Sequence, residues 1–309
     1  EKAKAEYNIP KIYDTMDELF ADPEIDIVLN LTRPYQHYEV SKAAEIITEH
    51  TRRYMKKDGL PKPVISSACP AIVRLISLRF PCLVDNLLPI MPPIEYAARQ
   101  ARKEALAAHP ELSDEDIAVL FISPCPAKIS YIKNPIGVKN SAVTGGLAIS
   151  DLYFKVRSKR KEIDIPKSLS TTGIIGLNWA GSGGEATSLL SDHYLAADGI
   201  ENCIKVLDEI ENGNFGDLDF VELNACIGGC VGGTLNVENP FIAKARLQSL
   251  RRYLPVSQNN ISLKDNERLT ELLDERLQLY IPNDLLILIN HSDIDGELNS
   301  FECKRLLPY

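Results

Sequence analysis

Short apolar runs alternate with longer segments of helical periodicity along most of this chain. Runs typical of buried parallel strands occupy 25–31, 62–68, the end of 111–123, 173–179 and 218–225. Helical spacing of apolar positions occupies 11–20, 37–57, 93–109, 145–163, 181–196, 199–213 and 239–254. The alternation predicts an α/β protein with mostly parallel sheets flanked by helices.

The pattern changes after Pro255. The remaining sequence holds one charged helical segment, one apolar run and a polar end. It continues neither the strand pattern nor the helix pattern that precedes it. Residues 255–309 are therefore treated as an unassigned C-terminal tail.

Composition and charge exclude several classes of partner. The chain has 309 residues, 45% of them apolar, which is enough for two domains or one large α/β domain. Its 34 basic and 43 acidic side chains give a net charge of −9, which disfavours nucleic-acid or anionic-membrane binding. No apolar run reaches the roughly 18–20 residues of a membrane span, and the first ten residues lack the apolar stretch of a signal peptide. A cytoplasmic protein is predicted.

The seven cysteines form an odd set in a long chain without a secretion signal. A disulfide framework is therefore not expected, and clustered cysteines indicate metal or redox chemistry instead. Four of them follow predicted strands: Cys69, Cys125, Cys226 and Cys230. Because the carboxyl ends of parallel strands share one edge, these four thiols are predicted to meet in one crevice. Cys82 and Cys203 lie in helical stretches, and Cys303 lies in the tail.

Four converging thiolates suit either a [4Fe–4S] cluster or a tetrahedral zinc ion. The segment "ELNACIGGCVGG", 222–233, places two of the cysteines among four glycines. Glycines let backbone N–H groups approach the sulfurs of a bulky anionic cluster, whereas structural zinc more often uses paired CxxC knuckles. The alternative is that these are ordinary buried cysteines.

Three motifs together resemble the signatures of the iron-only (FeFe) hydrogenases. They are "SSACPAIVRL" at 66–75, "SPCPAK" at 123–128 and "ELNACIGGCVGG" at 222–233. The similarity runs from about residue 43 to about residue 254 and is greatest to the sensory branch of the family. It implies an α/β domain in two halves, with an iron–sulfur site in the crevice between them.

The resemblance also implies a cofactor and a reaction. The family site is a [4Fe–4S] cubane joined through a shared cysteine to a two-iron subcluster with CO, cyanide and dithiolate ligands. Cys69, Cys125, Cys226 and Cys230 match the cubane ligands, Cys230 matches the shared one, and Lys128 matches a lysine that donates to a cyanide ligand. The implied activity is reversible interconversion of H₂ with two protons and two electrons. An external electron carrier such as ferredoxin and hydrogenase maturation factors are the implied partners.

Three departures from the family pattern bear on the rate. Ala68 replaces a proton-relaying cysteine, and Ser123 and Asn224 replace methionines. Alanine carries no transferable proton, so slow turnover and a sensory or regulatory role are expected. The alternative is a non-catalytic relay or assembly protein that holds only the [4Fe–4S] cluster.

The N-terminal segment resembles a different family. Residues 7–44 are similar to part of the nucleotide-binding domain of the glucose–fructose oxidoreductases, without its GxGxxG fingerprint. This gives three expected regions: a Rossmann fragment at 1–44, the hydrogenase-like domain at 45–254, and the tail. An NAD(P)-dependent oxidoreductase is a third function to consider.

Three weaker patterns favour ordinary structure over function. The GxGxxA in "WAGSGGEA", 179–186, is compatible with phosphate binding but favours a glycine turn opening a helix that includes His193 and Tyr194. The acidic "DIDGELNSFE", 293–302, fails the spacing of a calcium loop. The basic run "RSKRKE", 157–162, is read as a solvated helix end that could also dock an acidic electron donor.

Overall fold

The computed structural model describes residues 38–159 and 171–259, and these form two parallel sheets. The first sheet has the order β1-β5-β4, where β1 is Val64–Ile65, β4 is Tyr194–Asp198 and β5 is Phe220–Asn224. The second sheet pairs β2, Leu120–Ser123, with β3, Gly145–Ala148. The predicted α/β class with parallel sheets and helices is confirmed.

Nine α-helices accompany the strands in the described ranges: α1 Val40–Tyr54, α2 Pro70–Arg79, α3 Pro93–Ala108, α4 Pro126–Lys133, α5 Ile149–Lys159, α6 Ile174–Asn178, α7 Gly184–Ser188, α8 Ile200–Glu211 and α9 Pro240–Leu250. Four of them begin with proline, whose fixed φ and missing N–H suit the first helical position. Short 3-10 turns cover Pro81–Asn86, Asp114–Asp116, Cys230–Gly232 and Arg251–Tyr253. None of the described helices is long and apolar enough to cross a membrane.

The central strand β5 separates two apolar clusters. Val221 and Leu223 point into a cluster built with helices α2 and α8, while Phe220 points into the opposite cluster, built with α1 and α3. This alternation follows from the two-residue period of a strand. Both faces of β5 are covered by apolar clusters. A site is therefore expected at the edge of the sheet where the carboxyl end of β5 emerges.

Parallel pairing fixes which segments leave that edge together. Val64 pairs with Phe220 in β1 and β5, and Asp198 pairs with Asn224 in β4 and β5. The segments after β1 and β5 carry Cys69 and Cys226. The register therefore delivers two of the predicted cysteines to the same edge of the first sheet.

Several predicted elements differ from the structure. The segment 145–163 opens as strand β3 before becoming helix α5, and 173–179 forms helix α6 rather than a strand. The segment 181–196 forms only the five-residue α7, and Tyr194 begins strand β4 instead of continuing a helix. Short apolar runs do not distinguish buried strands from buried helical turns. The predicted helix 11–20 and strand 25–31, with Cys303 and 293–302, lie outside the described residues.

A buried carboxylate ties the first helix to the end of the described chain. Glu45 in α1 is 3% exposed and accepts hydrogen bonds from the backbone N–H groups of Gly173, Gln258 and Asn259. Burial raises the pKa of Glu45, but hydrogen bonds from Asn259, Gly173, Gln258 and Ser257 outweigh it, so the pKa lies below its ordinary value. The ionised side chain therefore acts as a clamp between three separate segments.

Replacing Glu45 by glutamine is expected to lower the free energy of unfolding by about 2 kcal/mol, because charge-assisted hydrogen bonds to three backbone donors are weakened. Since folding lowers the pKa of Glu45, its contribution is complete above the ordinary value of 4.5 and disappears as the pH falls through the folded pKa. Urea unfolding at pH 7 and at low pH measures the difference.

Glu49→Gln is the matched control on the same helix. Glu49 is 33% exposed and, among the described residues, forms ion pairs with Arg52 and Arg53, so its replacement should change stability by less than about 1 kcal/mol. Equal losses of unfolding free energy in the two variants would show that the buried hydrogen bonds of Glu45 contribute no more to stability than the exposed ion pairs of Glu49.

Candidate functional site

Two of the predicted cysteines sit at the point where a strand turns into a helix. Cys69 is the residue before α2, four positions after β1, and Cys125 is the residue before α4, two positions after β2. The Ser123 hydroxyl donates to the Cys125 carbonyl at 2.8 Å and accepts the Cys125 N–H at 3.3 Å. Cys69 and Cys125 both lie at helix N-termini, where the helix dipole favours negative charge.

The other two cysteines bracket a tight glycine loop after β5. Gly228 and Gly229 have φ values of +83° and +84°, a region that L side chains rarely adopt. The Gly229 N–H donates to the Cys226 carbonyl at 3.0 Å. The chain can therefore reverse direction between Cys226 and Cys230 within four residues.

The glycine loop packs closely on two other segments. A Cβ on Gly229 would lie 2.5 Å from the Ser182 nitrogen, and one on Gly233 would lie 2.2 Å from the Pro124 carbonyl oxygen. The Leu235 N–H also donates to Pro124 at 3.0 Å. Glycine is needed here so that the third motif can lie directly against the second motif.

Lys128 reaches across from the second motif to the third. Its Nζ donates to Cys230 Sγ at 3.3 Å. Burial lowers the pKa of Lys128, but the negative charges of Cys230, Cys125 and Cys69 outweigh it and hold the pKa above its usual range. The ammonium therefore stays charged beside the thiols.

The four cysteines and Lys128 share one electrostatic neighbourhood. Burial raises the pKa of Cys226, and the negative charges of Cys125, Cys69 and Cys230 raise it further. Thiolates that destabilise one another in this way are stabilised by added positive charge, which bound metal supplies.

No ready-made site for a single metal ion lies among the described side chains. Within 38–159 and 171–259, no group of three His, Cys, Asp or Glu residues could hold a metal ion. Zinc requires sulfurs about 2.3 Å from one centre, whereas a cubane of four irons spaces its thiolates more widely. The ligand assignments of Cys69, Cys125, Cys226 and Cys230 stay predictions.

The remaining described cysteines, Cys82 and Cys203, are not among the four motif cysteines. Cys82 lies in the 3-10 turn after α2 and donates to Glu211 at 3.0 Å. Cys203 is fully buried in α8, where burial and the charge of Cys69 raise the pKa of its thiol to about 12. Cys203 therefore remains a protonated thiol in the interior.

Two buried glutamates were not singled out by sequence reasoning. Glu222 in β5 accepts the N–H groups of Gly183 at 3.0 Å and Ala186 at 2.8 Å. These are the donors that a phosphate at the GxGxxA pattern would need, so the protein's own carboxylate occupies that position. The glycine turn is confirmed, and phosphate binding there is not supported.

The second glutamate is held close to the first motif. Glu185 is 3% exposed, and the Ser66 hydroxyl donates to it at 2.5 Å. Ser66 in turn accepts the N–H of Ala68 at 3.2 Å. Burial and the charge of Glu222, opposed by the Ser66 hydrogen bond, raise the pKa of Glu185 to about 8. Glu185 is therefore protonated at neutral pH, while Glu222 holds the backbone donors.

The chain matches the family described as "Iron only hydrogenase large subunit, C-terminal domain" over residues 34–136 and 131–234. It belongs to that iron-only hydrogenase family. The match contains all three cysteine motifs. No curated protein sequence matches the chain.

Solved [FeFe]-hydrogenases are similar to this chain at low sequence identity. One, from a study of oxygen inactivation through degradation of the two-iron subcluster, is 16% identical, with 80% of this chain and 82% of that chain covered and a TM-score of 0.50. Another, concerned with stepwise H-cluster assembly, is 16% identical, with 77% of this chain and 77% of that chain covered and a TM-score of 0.48. A variant of the Chlamydomonas reinhardtii enzyme HydA1 is 16% identical, with 80% of this chain and 78% of that chain covered and a TM-score of 0.47.

Proposed function

We propose that this protein is a slow iron-only hydrogenase that interconverts H₂ with two protons and two electrons in a sensory or regulatory role. The observation that carries the proposal is the contact of Lys128 with Cys230, 3.3 Å from Nζ to Sγ, inside a family domain with four motif cysteines. Cys69, Cys125, Cys226 and Cys230 are the proposed ligands of a [4Fe–4S] cluster.

The donor set fits such a cluster in chemistry and in charge. Thiolates are the usual protein ligands of iron–sulfur clusters, and the glycine loop brings two of them within four residues of each other. When bound, the cluster and a two-iron unit with CO, cyanide and dithiolate ligands supply the redox chemistry. The chain's own part is to hold, orient and shield that group.

Lys128 supplies a fixed positive charge to the site. Its ammonium contacts Cys230 Sγ, and the charges of Cys230, Cys125 and Cys69 raise the pKa of Lys128, so it keeps its proton. A permanent cation stabilises an anionic ligand such as cyanide through a charge-assisted hydrogen bond. Lys128 therefore orients the site rather than exchanging a proton with it.

The proton that Ala68 cannot carry is assigned to Glu185. The Ser66 hydroxyl connects the backbone at Ala68 with the Glu185 carboxyl group. A buried acid with a pKa of about 8 is matched to proton transfer near neutral pH. Glu185 holds the proton, and the Ser66 hydroxyl, which donates to this carboxyl group, fixes it beside the first motif.

Replacing Glu185 by glutamine is expected to remove one protonated-acid carbonyl band from the infrared spectrum of the cluster-free protein at pH 6. In the unchanged protein that band should vanish as the pH rises through about 8. After reconstitution, the variant should retain its iron and lose about tenfold to a hundredfold in turnover.

Glu185→Asp serves as the conservative control, because it keeps an ionisable group. It should recover part of the turnover that Glu185→Gln loses. An unchanged infrared spectrum in Glu185→Gln would contradict the assignment of the proton to Glu185.

The alternative function is a relay or assembly protein with only the [4Fe–4S] cluster. Ala68, Ser123 and Asn224, which depart from the family pattern, favour this alternative over fast catalysis. Both functions require an external electron carrier such as ferredoxin, and only the hydrogenase requires maturation factors.

Infrared spectroscopy after anaerobic reconstitution with iron, sulfide and a synthetic two-iron precursor distinguishes the hydrogenase from the relay or assembly protein. Bands from CO and cyanide, about two additional irons per chain and H₂ formation with a chemical reductant support the hydrogenase. A stable cluster without these bands supports the relay. NAD(H) binding in a titration would favour the third function, an oxidoreductase of the N-terminal segment.

A further inference from the structure

The glycines of the third motif donate their N–H groups to oxygen atoms of the protein. Three of these N–H groups donate to carbonyl oxygens within the motif, at 3.0, 3.0 and 3.1 Å: Gly229 to Cys226, Gly232 to Gly229, and Gly233 to Cys230. The fourth N–H, that of Gly228, donates to a side chain from another strand, the Asp198 carboxylate, at 3.1 Å. Each of the four N–H groups therefore already has an oxygen acceptor in the described part of the chain.

Asp198 ends strand β4 at the same sheet edge from which the glycine loop leaves β5. It pairs with Asn224 in the parallel register, and the next N–H, that of Gly199, donates to the Asn224 carbonyl at 2.9 Å. The Asn202 side-chain amide donates to the Asp198 carbonyl at 2.9 Å. These contacts fix the backbone of Asp198, so its carboxylate is held beside the loop.

The charge of Asp198 acts on the interior of the site. Within 38–159 and 171–259, no lysine or arginine forms an ion pair with Asp198. The pKa of the buried Cys203 thiol is raised first by burial, then by the charge of Cys69 and also by the charge of Asp198. Asp198 and a proposed cluster ligand therefore act on the same buried side chain.

We propose that Asp198 is a positioning residue that holds the glycine loop and lowers the reduction potential of the cluster bound beside it. The proposal rests on the proposed iron–sulfur function and adds a residue that lies outside the three cysteine motifs. Reduction adds one electron to the cluster and breaks no bond, so a nearby negative charge disfavours the reduced form. Hydrogen bonds to cluster sulfurs have the opposite effect, and Asp198 takes the Gly228 N–H that could have formed one.

Asp198 and Lys128 have opposite effects on the added electron. The Lys128 ammonium, which donates to Cys230 Sγ at 3.3 Å, stabilises the reduced cluster, whereas the Asp198 carboxylate destabilises it. The glycine loop thus meets a cation at Cys230 and an anion at Gly228. Through these two fixed charges the chain controls how strong a donor must be to reduce the cluster.

The test of the electrostatic role is a redox titration of the reconstituted full-length chain with dithionite and mediators, followed by electron paramagnetic resonance. Asp198→Asn removes the charge and keeps a side-chain oxygen that can accept the Gly228 N–H. It should favour reduction about tenfold, which for a one-electron couple is a potential about 59 mV more positive.

Asp192→Asn is the matched control, because it changes the net charge of the chain equally. Asp192 is exposed and lies just before the opposite end of β4. Its replacement should leave the potential unchanged, since solvent and salt screen an exposed charge at that distance.

Amide hydrogen exchange of the cluster-free full-length chain tests the positioning role. Asp198→Ala removes the acceptor as well as the charge, so the Gly228 amide should exchange about tenfold faster or more. Asp198→Asn should change this exchange rate little.

The two measurements separate the possible failures. A potential that is the same in Asp198→Asn, Asp192→Asn and the unchanged protein overturns the electrostatic role of Asp198. Equal exchange of the Gly228 amide in Asp198→Ala and the unchanged protein overturns the positioning role. A chain that assembles no cluster contradicts the proposed function, and the exchange measurement then still decides whether Asp198 holds the loop.

Discussion

Replacing Cys230 by serine is expected to reduce the iron retained after anaerobic reconstitution from about four atoms per chain to near background. Cys230 is the proposed ligand that also receives the Lys128 hydrogen bond. Its loss removes one thiolate and leaves the Lys128 ammonium without its nearest negative charge. A hydroxyl is a much poorer ligand for iron than a thiolate, so we expect a cluster that is lost on gel filtration.

Cys82→Ser is the matched control, because Cys82 lies in a 3-10 turn beside Glu211 and is not a proposed ligand. It should retain the iron and the visible absorption of the unchanged protein. Equal iron in the Cys230→Ser variant and the unchanged protein would remove Cys230 from the ligand set.

Replacing Gly229 by alanine is expected to lower the free energy of unfolding by about 3 kcal/mol or more and to prevent stable cluster binding with all cysteines still present. Gly229 has φ +84° and ψ −154°, a combination that is essentially restricted to glycine. An added Cβ would also lie 2.5 Å from the Ser182 nitrogen. The loop would have to move away from the 180–182 segment, and Cys226 and Cys230 would move with it.

Gly213→Ala separates backbone strain from crowding. Gly213 has φ +80° and no atom within 4 Å of an added Cβ, so its replacement should cost only about 1 kcal/mol and leave the iron content unchanged. Urea unfolding and iron analysis of both variants measure the difference. Similar behaviour of the two variants would mean that close packing of the glycine loop does not shape the site.

Much of the fold follows from local patterns. Helix α8 is strongly amphipathic and lies between glycines, and β5 lies in a short, mostly apolar run, so both were predicted within a few residues of their observed bounds. The segment 173–179 was predicted wrongly because a short apolar run suits a buried helical turn as well as a strand. Strand β4 was missed because its pairing partner, β5, is distant in sequence.

The site, like the fold, was predictable only where the sequence carries a local signal. The motif cysteines and Lys128 stand out because thiols and glycines are chemically distinctive. Glu185 and Glu222 did not stand out, since a glutamate in a sequence is most often a solvated surface residue. What distinguishes them is burial and the N–H donors of a turn 36–39 residues away. Such contacts depend on the tertiary fold and leave no local signal.

Iron and sulfide analysis of the full-length chain after anaerobic reconstitution, with its visible absorption, tests the shared thiol site most directly. We expect about four irons and four sulfides per chain, brown absorption, and loss of both in the Cys230→Ser variant. A colourless, iron-free protein, or one that binds a single zinc ion instead, would contradict the assignment of Cys69, Cys125, Cys226 and Cys230 to one cluster.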